Sequence, residues 1–313
     1  MAVNTKYTEI AAQDLDQWQK AGETIYIVDT LPAGVFEKRK IPGAHNACVY
    51  EVTFLEQIEK IVPDRRQKIV VYGSSQASLD APSAAEKLVR AGFEAVFVLT
   101  GGIAAWRAGG FALEGNDVAF ADSPPEKVAF GDGEYAVDID ESIIEWTGRN
   151  PNTRHYGSVR LSGGTLTAQD NIFSGSFEID MDSIENVNLK GDDLYPVLIA
   201  HLKSDDFFFV KLFPKAAFNI RRARPVEAPQ LSSPNYEIEG RLELRGISGE
   251  LNFPATLNHG ENGDIIAEAH FDFDRTRWNV IYGSSRFFEH LGMHLVFDPI
   301  SIQVRVVARP VKS

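Results

Sequence analysis

The sequence predicts a chain of two domains: an α/β domain built on a parallel sheet, then an all-β domain of antiparallel strands. Three observations carry this. In the first third of the chain, short and nearly continuous apolar runs alternate with helical patterns. After Tyr135 the apolar period changes to two. Between these regimes lies a polar stretch with paired prolines, Pro124 and Pro125, and several glycines and acidic residues, which marks a boundary. The expected division is a first domain at 1–118, a linker at 119–133 and a second domain at 134–313.

In the first domain Ile10 to Gln19 reads as a short helix with Leu15 and Trp18 on its apolar face. Thr24 to Asp29 (TIYIVD) and Lys68 to Tyr72 (KIVVY) read as strands covered on both faces, because their apolar residues do not alternate. KIPGAHN, Lys40 to Asn46, is a turn into a further short strand, which Cys48 is expected to enter. Glu51 to Ile61 and Pro82 to Ala91 are helical, and Gly92 suits a C-cap. Ser78 and Asp80 are candidate caps for the second of these helices. Ala95 to Leu99 is a strand leading into the helix that GGIAAW begins.

Composition excludes several classes. With 44% hydrophobic and 24% charged residues the chain is of globular type, and its formal net charge of -13 disfavours nonspecific binding to nucleic acid or to anionic membranes. Cys48 is the single cysteine, so an intramolecular disulfide and a Cys-rich zinc site are both excluded. No apolar run approaches a membrane span. The N-terminus lacks a basic run followed by an apolar stretch, so the expected location is the cytoplasm. His290 and His294 are spaced like half a metal site, but Gly292 falls between them and no HExxH pattern is present, so no metal is expected.

Four ordered motifs in the first domain are similar to those of rhodanese-like sulfurtransferase domains: VD at Val28 and Asp29, IPGAHN at Ile41 to Asn46, VVYG at Val70 to Gly73, and LTGGIAAWRAGG at Leu99 to Gly110. The resemblance implies that the loop after VVY opens with a cysteine carrying a persulfide, cradled by successive backbone N–H groups. Gly73 stands at that position. The loop Gly73, Ser74, Ser75, Gln76, Ala77 and Ser78 therefore lacks its thiol, and no catalytic residue is assigned. The serine hydroxyls are poor sulfur acceptors with no histidine nearby in sequence to activate them. Cys48 is a displaced nucleophile in one reading and a small buried hydrophobe in the other.

In the second domain Phe173, Phe177, Ile179 and Met181 alternate with polar residues, as do Phe271 and Phe273, and Ile300, Ile302, Val304 and Val306. Gly191 to Lys203 reads as a helix, followed by a dense aromatic strand region around Phe207, Phe208 and Phe209. This pattern fits a barrel or a sandwich, with an interior either filled by side chains or hollow. Five segments then resemble the YceI-like family: YAVDIDESIIEWTG from Tyr135, GSVRLSGGTL from Gly157, LKSDDFFFVKLFPKAAFNI from Leu202, LELRGISGELNFPATL from Leu242 and FDRTRWNVIYGS from Phe273. The resemblance implies an antiparallel lipocalin-like β-barrel following the rhodanese-like parallel sheet, and binding rather than catalysis. No cofactor is expected. The implied ligand is an amphiphilic or isoprenoid-type lipid, a quinone or polyprenol tail, with transient membrane contact and a homodimer as further options.

Candidate lining residues are Trp146, Phe173, Phe177, Phe208, Phe218, Phe271, Trp278 and Ile281. Arg275 and Tyr282 either touch a headgroup or close a turn through Asp272 or Asp274. The excursion Tyr282 to Asp298, rich in Phe and Leu, covers the barrel mouth, docks the first domain or forms a dimer contact. Three functions follow: a lipid-binding barrel with a degenerate rhodanese-like scaffold or partner-binding module, a sulfurtransferase or related enzyme with a displaced nucleophile (including a hydrolase using Ser74 or Ser75), and a structural or regulatory protein without cargo.

Overall fold

The computed structural model describes residues 7–120 and 128–311. The Pro124–Pro125 pair of the expected linker lies outside the described residues. The chain divides into two compact units, Met1–Pro124 and Pro125–Ser313.

The first unit contains β1 (Thr8–Ile10), α1 (Ala12–Lys20), β2 (Ile25–Asp29), α2 (Ala33–Lys38), β3 (His45–Asn46), α3 (Phe54–Ile61), β4 (Lys68–Tyr72), α4 (Asp80–Arg90), β5 (Val96–Leu99) and α5 (Gly102–Ala108). Its sheet runs β1-β5-β4-β2-β3, with every pair parallel. The unbroken apolar run of β4 now has its reason. Ile69 and Val71 join a core with Phe54, Ile58, Ala84 and Leu88 on one face, and Val70 and Tyr72 join Leu15, Ile103 and Trp106 on the other.

Three local expectations shift. Ile10 belongs to a strand paired with β5, so the first helix starts at Ala12. Cys48 is buried in a turn after the short β3 instead of entering a strand, and the following helix starts only at Phe54. Past α5 the chain stays on this unit as far as Phe120, whose carbonyl accepts from Arg107 at 2.8 Å and whose ring lies 4.1 Å from the Lys38 ammonium.

The second unit contains β6 (Gly133–Arg149), β7 (Arg154–Gln169), β8 (Ile172–Asn186), α6 (Tyr195–Lys203), β9 (Lys215–Pro225), β10 (Tyr236–Leu244), β11 (Ile247–His259), β12 (Ile265–Asp274) and β13 (Pro299–Pro310). These strands form a closed antiparallel barrel, β10-β11-β12-β13-β6-β7-β8-β9, sealed where β13 pairs with β6. Because successive strands alternate in direction, the two long connections lie at the same end. One carries α6 and the other is the segment 275–298. Pro196 sets the helix start, so α6 begins at Tyr195 and not at Gly191. Phe207, Phe208 and Phe209 lie in turns rather than in a strand, and Phe209 has φ 48°. The strand begins only at Lys215.

The opposite end is stoppered. Phe130, just before β6, packs edge-on against Phe173 at 5.3 Å and Tyr236 at 6.2 Å. Asn171 ties this plug together: its side-chain oxygen accepts from the Phe130 N–H at 2.7 Å and its carbonyl from the Tyr236 hydroxyl at 3.1 Å.

Candidate functional site

The barrel is hollow. A cavity of about 410 Å³ runs inside it, within the usual range for small-molecule pockets. Its wall is made by inward-facing apolar side chains of all eight barrel strands, among them Ile144, Val159, Phe177, Phe218, Leu242, Phe253, Phe271 and Val304. Alanines at 216, 223, 255, 267 and 269 also face it, and their small side chains leave the central volume open. Phe253 and Phe271 stack across neighbouring strands, with ring centroids 4.1 Å apart and planes 10° apart. The Trp146 indole N–H is buried without a hydrogen-bond partner among the described residues.

Polar groups enter the lining at the end that carries α6 and segment 275–298: Arg149, Asn150, His155, His201, Tyr282 and His294. Glu268, exposed on β12 and paired with Arg305, is the polar lining residue that lies elsewhere. Tyr282 organises this mouth. Its hydroxyl meets His294 Nδ1 at 3.0 Å, and its ring stands perpendicular to that of His201 at 4.6 Å. His201 Nε2 in turn meets Asp206 at 3.1 Å.

The loop of the first unit is built differently. Gly73 to Ser78 joins β4 to α4, and α5 closes over it: the N–H of Ile103 donates to the Gly73 carbonyl at 2.9 Å, and that of Ala104 to Ser74 at 3.1 Å. Gly102, at φ +57°, permits this approach, since a Cβ there would collide with the Gly73 carbonyl. Asp80 does not cap α4 from outside, as its position suggests. It is the first residue of α4, and its buried side chain turns back into the loop. Its Oδ2 accepts from the N–H and hydroxyl of Ser74, each at 3.3 Å, and its Oδ1 accepts from the Tyr50 hydroxyl. Burial opposes ionisation of Asp80, but hydrogen bonds from Ser78, Tyr50 and Ser74 outweigh it and hold the carboxyl below its usual range. The same contact is the main reason that the Tyr50 phenol is pushed up to about 12. The cleft left beside the loop measures about 50 Å³.

Comparison with known families agrees with both halves. The YceI-like domain matches residues 135–308, more than half of the chain, and the rhodanese-like domain matches residues 11–109. The chain belongs to the YceI-like family. It carries a rhodanese-like domain ahead of the YceI-like barrel. Among solved structures, BcnA of Burkholderia cenocepacia is 20% identical over 55% of this chain and 98% of its own, with a TM-score of 0.42. A polyisoprenoid binding domain from Saccharophagus degradans is 11% identical over 56% and 98%, with a TM-score of 0.42. The BH2092 protein of Bacillus halodurans is 31% identical over 37% and 82%, with a TM-score of 0.34. Comparison with curated proteins gives no match.

Within the YceI-like barrel, Trp146, Phe173, Phe177, Phe208, Phe218, Phe271, Arg275 and Tyr282 border the cavity. Trp278 and Ile281 do not. The Trp278 ring is fully buried in the turn after β12, edge-on to Phe273 at 5.4 Å, with its N–H donating to the Leu242 carbonyl at 2.9 Å. Arg275, which borders the cavity, closes a turn, but not through the expected carboxylates. Its guanidinium donates to the carbonyls of Val280 at 2.5 Å, Val296 at 3.1 Å and Phe297 at 3.2 Å, with Asp298 at 3.8 Å, while Asp274 pairs with Arg286. His201, His294, Phe253 and the wall alanines are site residues that the sequence reading did not select. His290, the partner of His294 in the half-site spacing, is exposed beside Glu289, and no group of three or more candidate metal ligands occurs among the described residues.

Arg275 therefore holds segment 275–298 over the mouth. Arg275→Ala strands three carbonyls without donors and is expected to destabilise the barrel by about 3–5 kcal/mol. Urea unfolding and limited proteolysis check this. Unchanged stability and no new cleavage within 275–298 contradict it.

Proposed function

We propose that this protein carries an amphiphilic lipid with an isoprenoid-type tail, such as a quinone or polyprenol, in the YceI-like barrel. The rhodanese-like domain then serves as a non-catalytic scaffold or partner-binding module. The observation that carries the reading is a cavity with a largely apolar wall, stoppered by Phe130 at one end and with most of its polar lining at the other. A tail along the axis is stabilised by about 0.8 kcal/mol for each buried methylene. A headgroup then meets Tyr282, His201 and His294, and an oxygen on the ligand can pair with the orphan Trp146 N–H, whose unmet bond costs about 1–3 kcal/mol.

Exchange with a membrane belongs to the same reading. Large apolar residues stand exposed on the elements that frame the mouth: Leu194 and Val197 on the helix face that leads to His201, and Phe287, Phe288 and Met293 in segment 275–298. Met293 is 83% exposed although it borders the cavity. The chain's charge of -13 favours a zwitterionic over an anionic surface.

The test of cargo is Ala269→Trp, which places a ring in the lumen. Displacing two methylenes of tail lowers affinity about tenfold, so a fluorescent farnesyl probe should bind the variant at least that much more weakly. Equal affinity in both proteins overturns the reading. For exchange, Phe287→Ser with Phe288→Ser, both exposed and outside the cavity lining, should slow transfer of the probe from phosphatidylcholine vesicles by about tenfold while leaving its affinity in detergent unchanged. Transfer at the wild-type rate contradicts membrane loading through this end.

A further inference from the structure

The glycine at 73 and the aspartate at 80 are a matched pair. A Cβ built on Gly73 would stand 2.7 Å from Asp80 Cβ, 2.8 Å from Oδ2 and 3.2 Å from Cγ, and two of these are closer than real Cβ atoms approach anything. The side-chain space at 73 is thus taken by the Asp80 side chain, its Cβ nearest and its carboxylate next. That carboxylate is not a loose neighbour. It is buried, held by the Ser74 N–H and hydroxyl and by Tyr50, and anchored in the first turn of α4, where negative charge is favoured.

We propose that Asp80 is the resident anion of the strand–loop–helix seat between β4 and α4, so that the loop is closed by an internal ligand to thiosulfate and other external oxyanions. The seat is occupied, not vacant. A second anion would meet both the filled volume and the fixed negative charge, and the cleft that remains measures about 50 Å³ against about 410 Å³ inside the barrel. The inference also explains why replacing the missing thiol cannot by itself restore sulfur chemistry. A cysteine at 73 has nowhere to place its sulfur until Asp80 is removed. The proposal stands independently of any cargo in the barrel.

The test uses the full chain in three forms: Gly73→Cys, Gly73→Cys with Asp80→Gly, which also removes the Asp80 Cβ that lies nearest to position 73, and Asp80→Ala alone. In the double variant the freed Ser74 N–H faces the new thiol and lowers its pKa. The thiolate then attacks the sulfane sulfur of thiosulfate, the S–S bond breaks, and sulfite leaves with the bonding pair, so residue 73 gains one sulfur atom as a persulfide. Peptide mass mapping should find this gain at 73 in the double variant and not in Gly73→Cys, and iodoacetamide should alkylate position 73 at pH 6 about tenfold faster in the double variant. Equal reactivity of the two cysteine variants, whether both react or neither does, overturns the proposal. Asp80→Ala alone keeps the question open to decision if a cysteine variant does not fold. Thiosulfate should raise its thermal midpoint and leave that of the wild type unmoved. The same response in both proteins contradicts an internal anion.

Discussion

Closure of the barrel is the constraint on which the second unit depends. β6 and β13 are the first and last strands of this unit, and their pairing removes both sheet edges at once. Once eight strands close, the interior is only wide enough to be filled by side chains or to hold one small ligand. The side chains decide between these outcomes. Phe130, Phe173 and Tyr236 stopper one end and Phe207 and Tyr282 stand at the mouth, while the wall sets Phe177, Phe218, Phe253 and Phe271 among five alanines, two of which, Ala223 and Ala255, lie opposite Phe173 and Tyr236. Large rings set beside alanines give a closed tube with space inside it.

The first unit makes the opposite choice with a similar opportunity. The loop after β4 leads into the first turn of α4, and there the N–H and hydroxyl of Ser74 and the hydroxyl of Tyr50 converge, an arrangement suited to an anion. Here the protein supplies the anion itself, through Asp80. One unit has therefore filled the position where chemistry would occur, and the other has kept its centre open. The proposed carrier function rests on this contrast, since the barrel keeps a lining that is apolar over most of its wall and carries imidazole and phenol groups at the mouth.

Much of this was legible in the sequence, for identifiable reasons. Alternation fixes which side of a strand faces inward, so Phe173, Phe177, Phe218 and Phe271 could be assigned to the lumen. The continuous run of β4 signalled burial on both faces. Reading failed where position depends on irregular backbone. Trp278 and Ile281 follow a strand with inward-facing phenylalanines, but the turn at Arg275–Trp278 removes them from its periodicity. The three phenylalanines from Phe207 looked like a strand because β-propensity is local, whereas the turn depends on Phe209 adopting positive φ. Phe130 looked like linker because a single aromatic residue before a strand has no pattern. Asp80 looked like a cap because its spacing from the helix start is that of one. The only hint of its true contact was that a glycine, seven residues earlier, stood where a side chain was expected.

The most direct measurement of the central claim is of the protein as purified from its own expressing cells. Native mass spectrometry of the intact chain, followed by organic extraction and mass analysis of the released material, reads whether the lumen is loaded. The account predicts about one amphiphile per chain with a polyprenyl tail, released on denaturation. A protein of bare polypeptide mass that also takes up no added quinone or polyprenol would contradict it.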